Sequence, residues 1–209
     1  MKSSGYVSPF NRNSGLRPSA PGLNSVSVIV PFYNEEDCVE FVLKEIVKYQ
    51  PDAQVVAVDD GSSDHTWEIM RGIEEVTPLR LTENRGQSGA LFAGMSFAAG
   101  DILVMLDGDG QNDPADIQEL VDLVKAGDCD VAVGRRAKRK DTWSRRAASR
   151  IANRIRRCFI QDGISDTGCS LKAFHRDHLD LLVPFNGLHR YLPAIFTQAG
   201  LTIAEIDVN

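Results

Sequence analysis

The fold class is clearest in one stretch of the sequence, Ile102-Leu103-Val104-Met105-Leu106, which is followed directly by Asp107-Gly108-Asp109-Gly110-Gln111. Five consecutive apolar residues that run into polar ones indicate a short strand buried on both faces, which is typical of a parallel sheet covered by helices. Two further stretches repeat this arrangement: Val26-Ser27-Val28-Ile29-Val30 runs into Pro31-Phe32-Tyr33-Asn34-Glu35, and Gln54-Val55-Val56-Ala57-Val58 runs into Asp59-Asp60-Gly61-Ser62. We therefore expect several strands whose carboxyl ends carry polar loops.

Helical and extended patterns alternate along the chain around these strands. Strands predicted at 26–30, 54–58, 79–81, 102–106 and 130–133 alternate with helices predicted at 35–49, 64–75, 87–99 and 114–126. A strand at 170–174, two short helices near His178 and Arg190, and a final strand at 201–208 complete the pattern. This order predicts an α/β domain with a Rossmann-like, mostly parallel central sheet and helices on both faces. We expect the domain to span residues 25–209, after a flexible tail at 1–24 that is rich in Ser, Gly and Pro.

The charge of the chain is unevenly distributed. Its 209 residues carry a net charge of −6, but residues 135–157 hold eleven Lys or Arg and one Asp, a local charge of +10 that leaves −16 for the rest. The acidic average disfavours a nucleic-acid partner. We call residues 135–157 the basic belt. A helix predicted at 142–160 would give the belt an apolar stripe and basic flanks, which suit an anionic membrane surface or phosphate groups. A solvated helix packed by its stripe is the alternative.

Cysteine spacing and hydropathy bear on the compartment. The four cysteines lack the spacing of zinc ligands, which favours a reducing cytosol. The apolar runs are shorter than the roughly 18 to 20 residues needed to span a bilayer, and no signal peptide opens the chain. We therefore expect a cytoplasmic protein that does not itself cross a membrane.

The acidic loops are candidate binding sites, because ligands of open α/β sheets bind beyond the carboxyl ends of the strands. Asp107 and Asp109 flank Gly108 and could hold one hard cation such as Mg²⁺ or Mn²⁺, with solvated turn carboxylates as the alternative. Asp59 and Asp60 suggest a donor-rich ligand such as a base or ribose, although they could instead form a turn that leads into the next helix. The loop after the first strand lacks the glycine-rich turn of dinucleotide sites.

Four motifs resemble, in order and spacing, those of family 2 glycosyltransferases. They are Val28-Ile29-Val30-Pro31-Phe32-Tyr33-Asn34-Glu35-Glu36, Val58-Asp59-Asp60-Gly61-Ser62-Ser63-Asp64, Asn84-Arg85-Gly86 ahead of Gly100-Asp101, and Asp107-Gly108-Asp109-Gly110-Gln111. The chain is most similar to the dolichol-phosphate mannose synthase-like branch, which glycosylates polyprenyl phosphates. The resemblance implies a GT-A fold and a nucleotide-diphosphate sugar donor, linked to GDP or UDP.

The resemblance also implies roles on the donor side. It assigns donor binding to Pro31, Tyr33, Glu35, Asp59, Asp60 and Asp107. Asp107, Asp109 and Gln111 would hold Mg²⁺ or Mn²⁺ with the diphosphate, and both aspartates count as catalytic. The commoner form in this branch is Asp-Ala-Asp-Leu-Gln, so Gly108 and Gly110 depart from it, which bears on sugar selectivity.

On the acceptor side, Gly134-Arg135-Arg136 and Arg145-Arg146-Ala147-Ala148-Ser149 resemble patterns associated with the lipid phosphate. The resemblance therefore implies that Arg136, Arg145 and Ser149 bind the acceptor phosphate, and that the segment around His189 lies near the acceptor. A phosphate monoester, with a second pKa of about 6, is already ionised and requires no catalytic base. For a hydroxyl acceptor, Asp166 is the candidate base; otherwise Asp166 orients a loop or an arginine.

We therefore expect an inverting glycosyltransferase that moves a sugar to a polyprenyl phosphate, peripherally bound at the cytoplasmic face of the membrane. One alternative is a transferase acting on a glycan hydroxyl with Asp166 as base. Another is a nucleotide-sugar-binding module without turnover. Relatives commonly continue after the final strand with a basic loop and membrane helices, so we expect a C-terminal extension to be lacking from this chain.

Overall fold

The computed structural model describes residues 25–136, 166 and 168–209. The predicted tail at 1–24 and the predicted belt helix, with Arg145 and Ser149, lie outside these residues. The described strands are β1 (Val26–Phe32), β2 (Gln54–Asp59), β3 (Val76–Arg80), β4 (Ile102–Met105), β5 (Val131–Arg136), β6 (Lys172–His175) and β7 (Ile203–Val208). The α-helices are α1 (Val39–Tyr49), α2 (Thr66–Met70), α3 (Gly86–Phe97), α4 (Ile117–Ala126) and α5 (Leu188–Gln198), with 3₁₀ turns at Pro114–Asp116 and Arg176–Leu181.

The strands form one sheet in the order β3-β2-β1-β4-β6-β5-β7. β1 pairs in parallel with β2 and β4, β2 with β3, and β5 with β7. β6 is antiparallel to both of its neighbours, β4 and β5. The predicted α/β class and mostly parallel sheet are confirmed, whereas the reversed direction of β6 was not foreseen.

Helices cover both faces of the sheet, as the sequence predicts. On one face, α1 and α4 pack their apolar side against the sheet, with Val39, Leu43, Ile117 and Leu120 fully buried. On the other face, α3 and α5 do the same with Ala90, Met95, Leu192 and Phe196. Because helices cover both faces, the central strands are mostly apolar, with Ser27 in β1 and Lys172 in β6 as buried polar residues. Among the described residues, no helix is long and apolar enough to span a bilayer.

Two predicted boundaries on the β2–β3 side are wrong. β3 is longer than predicted and includes Pro78, which the sheet tolerates because β3 is an edge strand and one side of it needs no N–H donor. The helix predicted at 64–75 is only the short α2, because Gly72 disfavours helix and the chain turns there towards β3. Just before α2, the side chain of Asp64 accepts from the N–H of Thr66 at 3.0 Å.

The helix predicted near Arg190 is longer than expected. α5 has eleven residues and contains Pro193, whose missing N–H removes one helical hydrogen bond. Burial of Leu188, Leu192 and Phe196 against the sheet stabilises the full length.

Candidate active site

A cavity of about 250 Å³ opens at the carboxyl ends of the parallel strands. It lies where β1, β2 and β4 end, because the three strands run in the same direction. Its lining residues are Pro31, Phe32, Tyr33, Asp60, Gln87, Asp107 and Asp109. The structure therefore brings together five of the sequence-predicted donor and metal residues.

Asp107 is a half-buried carboxylate of this cavity. Burial raises the pKa of Asp107 above its usual value, and the neighbouring charge of Asp109 adds to the rise. Hydrogen bonds from Ser170 and Gln87 and the positive charge of Lys172 act in the opposite direction and favour the ionised form. The amide Nε2 of Gln87 donates to Oδ1 of Asp107. Asp107 is thus held in place from two other elements, α3 and the segment that precedes β6.

Gly108 allows the end of β1 to approach the acidic loop closely. A Cβ atom at Gly108 would lie 2.5 Å from the carbonyl oxygen of Pro31 and 2.6 Å from two ring atoms of Phe32. A side chain at this position would therefore require Pro31 or Phe32, which line the cavity, to shift. Asp109, on the other side of Gly108, is exposed, and its Oδ1 accepts from the N–H of Gln111 at 3.0 Å. Gln111 itself is exposed and is not among the lining residues.

Asp59 and Asp60 point in different directions. Asp59 is fully buried; its Oδ1 accepts from the N–H of Ser62 at 3.0 Å, and its Oδ2 lies 3.0 Å from Nε of Arg80. Asp60 lines the cavity, and its Oδ1 accepts from the N–H of Arg85 at 2.8 Å. Burial raises the pKa of Asp60, although hydrogen bonds from the backbone N–H groups of Arg85 and Gly86 act in the opposite direction. Of the two adjacent carboxylates, Asp60 therefore faces the cavity and Asp59 does not.

Glu35 lies beside the cavity without lining it. Its N–H donates to Oγ1 of Thr66 at 2.8 Å, and its Oε2 accepts from the thiol of Cys38 at 3.3 Å. Burial, together with the Glu35 carboxylate, raises the pKa of the Cys38 thiol to about 11, so this thiol is protonated at neutral pH. Glu35 therefore holds the loop after β1 in the described structure.

Arg136 and Asp166 form an ion pair at the end of β5. Nε of Arg136 lies 3.0 Å from Oδ2 of Asp166, and the N–H of Asp166 donates to Oε1 of Glu205 at 3.0 Å. Burial alone would raise the pKa of Asp166, but the hydrogen bonds and charge of Arg136 outweigh it and lower that pKa. An ionised carboxylate so firmly paired is a weak proton acceptor, which fits an arginine-orienting role better than that of a base.

His189 is held as a neutral imidazole near the start of α3. Burial, with the charges of Arg190 and Lys172, lowers the pKa of His189 to about 4. Its Nδ1 lies 2.8 Å from Oγ of Ser88, and the same Oγ accepts from the N–H of Gly187 at 3.1 Å. Ser88 follows Gln87, so the loop before α5 is attached to the helical turn that contacts Asp107.

The side chains at the cavity suit a divalent cation. Asp107 and Asp109 supply carboxylate oxygens on either side of Gly108, and Mg²⁺ is commonly held by one or two carboxylates plus water and substrate phosphates. Within the described part of the chain, no cluster of three or more His, Cys, Asp and Glu side chains is placed to hold a metal ion. Asp107 and Asp109 are thus the two carboxylates of the cavity loop that could hold a cation.

Several residues of the site were missed by sequence reasoning. Gln87, Ser88, Ser170 and Lys172 contact or neighbour the predicted carboxylates, yet they belong to helix and strand patterns that looked purely structural. For Gln87 a signal existed, since it follows directly on the Asn84-Arg85-Gly86 motif. For Lys172 the only signal in the sequence was a charged residue inside an otherwise apolar strand.

Comparison with known proteins identifies the family. The glycosyl transferase family 2 model matches residues 27–182. The chain belongs to glycosyl transferase family 2. Two family relatives are named undecaprenyl-phosphate 4-deoxy-4-formamido-L-arabinose transferase: the protein of Proteus mirabilis is 32% identical over 195 residues, and that of Edwardsiella ictaluri is 33% identical over 193 residues. The matches cover 89% and 88% of this chain but only 60% and 59% of those proteins. The chain thus spans about three fifths of the length of these relatives.

Solved structures confirm the GT-A fold of this family 2 chain. Glucosyl-3-phosphoglycerate synthase of Mycobacterium tuberculosis, solved with Mn²⁺, UDP and glucosyl-3-phosphoglycerate, matches with a TM-score of 0.73 at 20% identity, over 88% of this chain and 70% of that chain. A mannosyltransferase of Pyrobaculum calidifontis, solved with GDP-Man and Mn²⁺, matches with a TM-score of 0.64 at 22% identity, over 87% of this chain and 54% of that chain.

Proposed function

We propose that the chain is the catalytic domain of an inverting glycosyltransferase, which moves a sugar from a nucleotide-diphosphate donor to a polyprenyl phosphate. The observation that carries this proposal is the Arg136–Asp166 pair at the end of β5, on the same edge of the sheet as the cavity with Asp107 and Asp109. It offers an arginine to an anionic acceptor and leaves Asp166 unsuited to take a proton. The relatives named for transfer to undecaprenyl phosphate support the same acceptor class.

The chemistry of a phosphate acceptor agrees with this arrangement. A phosphate monoester is mostly a dianion at neutral pH, with a second pKa of about 6, so its oxygen is a nucleophile without further deprotonation. The protein then has to position that oxygen in line with the anomeric carbon and to stabilise the departing nucleoside diphosphate. Arginine suits the first task because its planar guanidinium matches phosphate oxygens. In this proposal Arg136, with Arg145 and Ser149, binds the acceptor phosphate.

On the donor side, Pro31, Tyr33 and Asp60 would bind the nucleoside, with Glu35 and Asp59 holding the loops that carry them. Asp107 and Asp109, with Gln111, would hold Mg²⁺ or Mn²⁺, and the cation supplies charge neutralisation for the leaving diphosphate. The Mn²⁺ in the two solved neighbours supports a divalent ion. The choice between Mg²⁺ and Mn²⁺ is part of the test.

A peripheral position at the cytoplasmic face of the membrane completes the proposal. Its acceptor is a membrane lipid, and the basic belt begins at Arg135 and Arg136, at the carboxyl end of β5. Positive side chains are attracted to anionic lipid surfaces by about 1 kcal/mol each near the surface.

The experiment that tests the function is an acceptor and donor screen. Purified chain is incubated with UDP- and GDP-sugars, with Mg²⁺ or Mn²⁺, and with undecaprenyl or dolichyl phosphate, and the products are identified by mass spectrometry. A lipid-linked sugar of inverted anomeric configuration is expected. Extension of a free glycan without any lipid product would contradict the proposal, and donor binding without turnover would favour a non-catalytic module.

Replacing Arg136 with Ala is expected to weaken acceptor binding selectively. Loss of a charged hydrogen-bonding partner should raise the KM for polyprenyl phosphate by about tenfold or more, with the donor KM changed by less than about threefold. Initial rates measured against each substrate check this. Lys125→Ala is the control, because Lys125 is an exposed basic side chain in the last turn of α4, outside the basic belt and the cavity lining. Equal changes in both KM values would contradict the assignment.

Asp166→Asn is expected to separate the two acceptor classes. If Asp166 only orients Arg136, the amide retains part of the contact and kcat falls by no more than about tenfold, with an unchanged pH profile. A base for a hydroxyl acceptor would instead lose about 10³-fold or more and its acidic pH limb. The measurement is kcat against pH for both proteins.

A further inference from the structure

Lys172 is a buried lysine that the proposed chemistry does not use. It is the first residue of β6 and pairs with Met105 of β4 and Val133 of β5, in the middle of the sheet. Its side chain is only 1% exposed. Burying an ammonium group is costly unless partners compensate, so its retention here requires an explanation.

The partners of Lys172 come from both sides of the site. Its Nζ donates to the carbonyl oxygen of Cys169, and its charge interacts favourably with the carboxylates of Asp107 and Asp166. Asp107 belongs to the donor side and Asp166 to the acceptor side. The charge of Lys172 therefore acts on carboxylates of both sides, while the nearby charge of Arg136 opposes it.

The segment held by Lys172 connects these two carboxylates physically. The carbonyl of Asp166 accepts from the N–H of Cys169, and the Oδ1 of Asp166 accepts from the N–H of Gly168 at 3.1 Å. Ser170, next to Cys169, hydrogen-bonds through its hydroxyl to Asp107 and accepts from Nδ2 of Asn112 at 2.7 Å. Lys172 thus bonds to Cys169, whose N–H contacts Asp166 and whose neighbour Ser170 contacts Asp107.

We infer that Lys172 is a positioning residue that fixes the placement of the donor-side carboxylate Asp107 relative to the Asp166–Arg136 pair. The inference rests on the proposed function, since it takes Asp107 as the donor side and Arg136 as the acceptor side. Lys172 is too buried to touch either substrate. It acts through the Asp166–Ser170 segment and through its charge.

This role predicts a particular kinetic effect. Each substrate keeps its own contacts when Lys172 is removed, so binding changes little. The alignment of the acceptor oxygen with the anomeric carbon depends on the donor side and the acceptor side of the site together. A displacement of about 1 Å between them costs roughly 10²-fold in rate. Loss of Lys172 should therefore appear in kcat rather than in the KM values.

The test compares Lys172→Met with Lys172→Arg. Met has a similar length and no charge, and replacing buried charged groups by apolar ones is often tolerated. We expect Lys172→Met to lower kcat by about 10²-fold while both KM values stay within about threefold. Lys172→Arg keeps the charge and the donors and is expected to recover most of kcat. Rates are divided by the number of donor-binding sites measured by calorimetry, which removes any unfolded fraction.

Ser170→Ala covers the case in which Lys172→Met does not fold. It breaks the contact of the same segment with Asp107, and the same kcat loss with unchanged KM values is expected. A matched control is Ser27→Ala at the amino end of the sheet: Ser27 is fully buried and bonds to Gln54 and Gly100, each at 2.8 Å. This control is expected to lower Tm without lowering kcat per binding site.

Several outcomes would overturn the inference. One is a folded Lys172→Met protein with wild-type kcat per binding site, and another is a donor KM that changes as much as kcat. Wild-type kcat in Ser170→Ala would count against it equally. Turnover of polyprenyl phosphate by the wild type tests the proposed function separately, because the variant-to-wild-type ratio is measured with whichever acceptor the wild type uses.

Discussion

Asp107→Asn is expected to lower kcat by about 10³-fold, because a neutral amide replaces the carboxylate that would hold the cation and the diphosphate. Asp107 is more buried than Asp109, and the amide of Gln87 donates to it. An Asn at this position has no charge. Its single side-chain oxygen can still accept from Gln87, but an NH₂ group then replaces the second carboxylate oxygen. The change preserves size, so stability should be little affected or slightly increased, since a charge is no longer buried.

The measurement is kcat and donor affinity over a titration with Mn²⁺, beside the same titration with EDTA. Asp122→Asn is the matched control: Asp122 is an exposed carboxylate on α4 that accepts from Gln118 at 2.7 Å, far from the cavity in the fold. The control should behave as wild type. Retention of more than about a tenth of wild-type turnover by Asp107→Asn would remove this residue from the cation site.

Gly108→Ala is expected to have the second largest effect. The added methyl group would lie 2.5 Å from the carbonyl oxygen of Pro31, a backbone atom that cannot swing away, and 2.6 Å from the Phe32 ring. Overpacking of this kind typically costs about 1 to 3 kcal/mol of unfolding free energy. The strain also displaces Asp107 or Pro31, which both line the cavity, so we expect a loss of about 10²-fold in kcat/KM for the donor.

Denaturant unfolding and donor kinetics check both parts of this prediction. Gly72→Ala is the matched control, because a Cβ there meets the carbonyl oxygens of Ile69 and Glu68 at 3.4 and 3.6 Å, an ordinary contact distance. It should cost little stability and leave the kinetics unchanged. Wild-type donor kinetics in Gly108→Ala would mean that the ends of β1 and β4 separate without disturbing the cavity.

The sheet and the position of the acidic loops could be predicted from the sequence because local pattern decides them. An apolar run such as Ile102 to Leu106 is stable only as a strand covered on both faces, and the polar residues after it then fall at the carboxyl edge. The antiparallel direction of β6 could not be predicted in the same way. It depends on the path of the chain between β5 and β6 rather than on the composition of β6.

The different roles of Asp59 and Asp60 also could not be predicted from the sequence. Neighbouring residues of an extended chain point to opposite faces, so one of two adjacent carboxylates has to turn away from the cavity. Which one does so follows from register: Asp59 is opposite Arg80 in the parallel pairing of β2 and β3. The sequence contains both residues but no local signal of that register. Lys172 was missed for a similar reason, since its partners come together only in the folded sheet.

Pro78 in β3 affects the tendency of the protein to aggregate. Strands at the edge of a sheet offer unpaired backbone groups on which a second chain can build, which is a common route to aggregation. Pro78 interrupts the row of N–H donors at one edge. At the other edge β7 carries Glu205 and Asp207, charged side chains that discourage a neighbouring strand. Within the described residues, both edge strands of the sheet thus carry features that oppose the addition of a strand from a second chain.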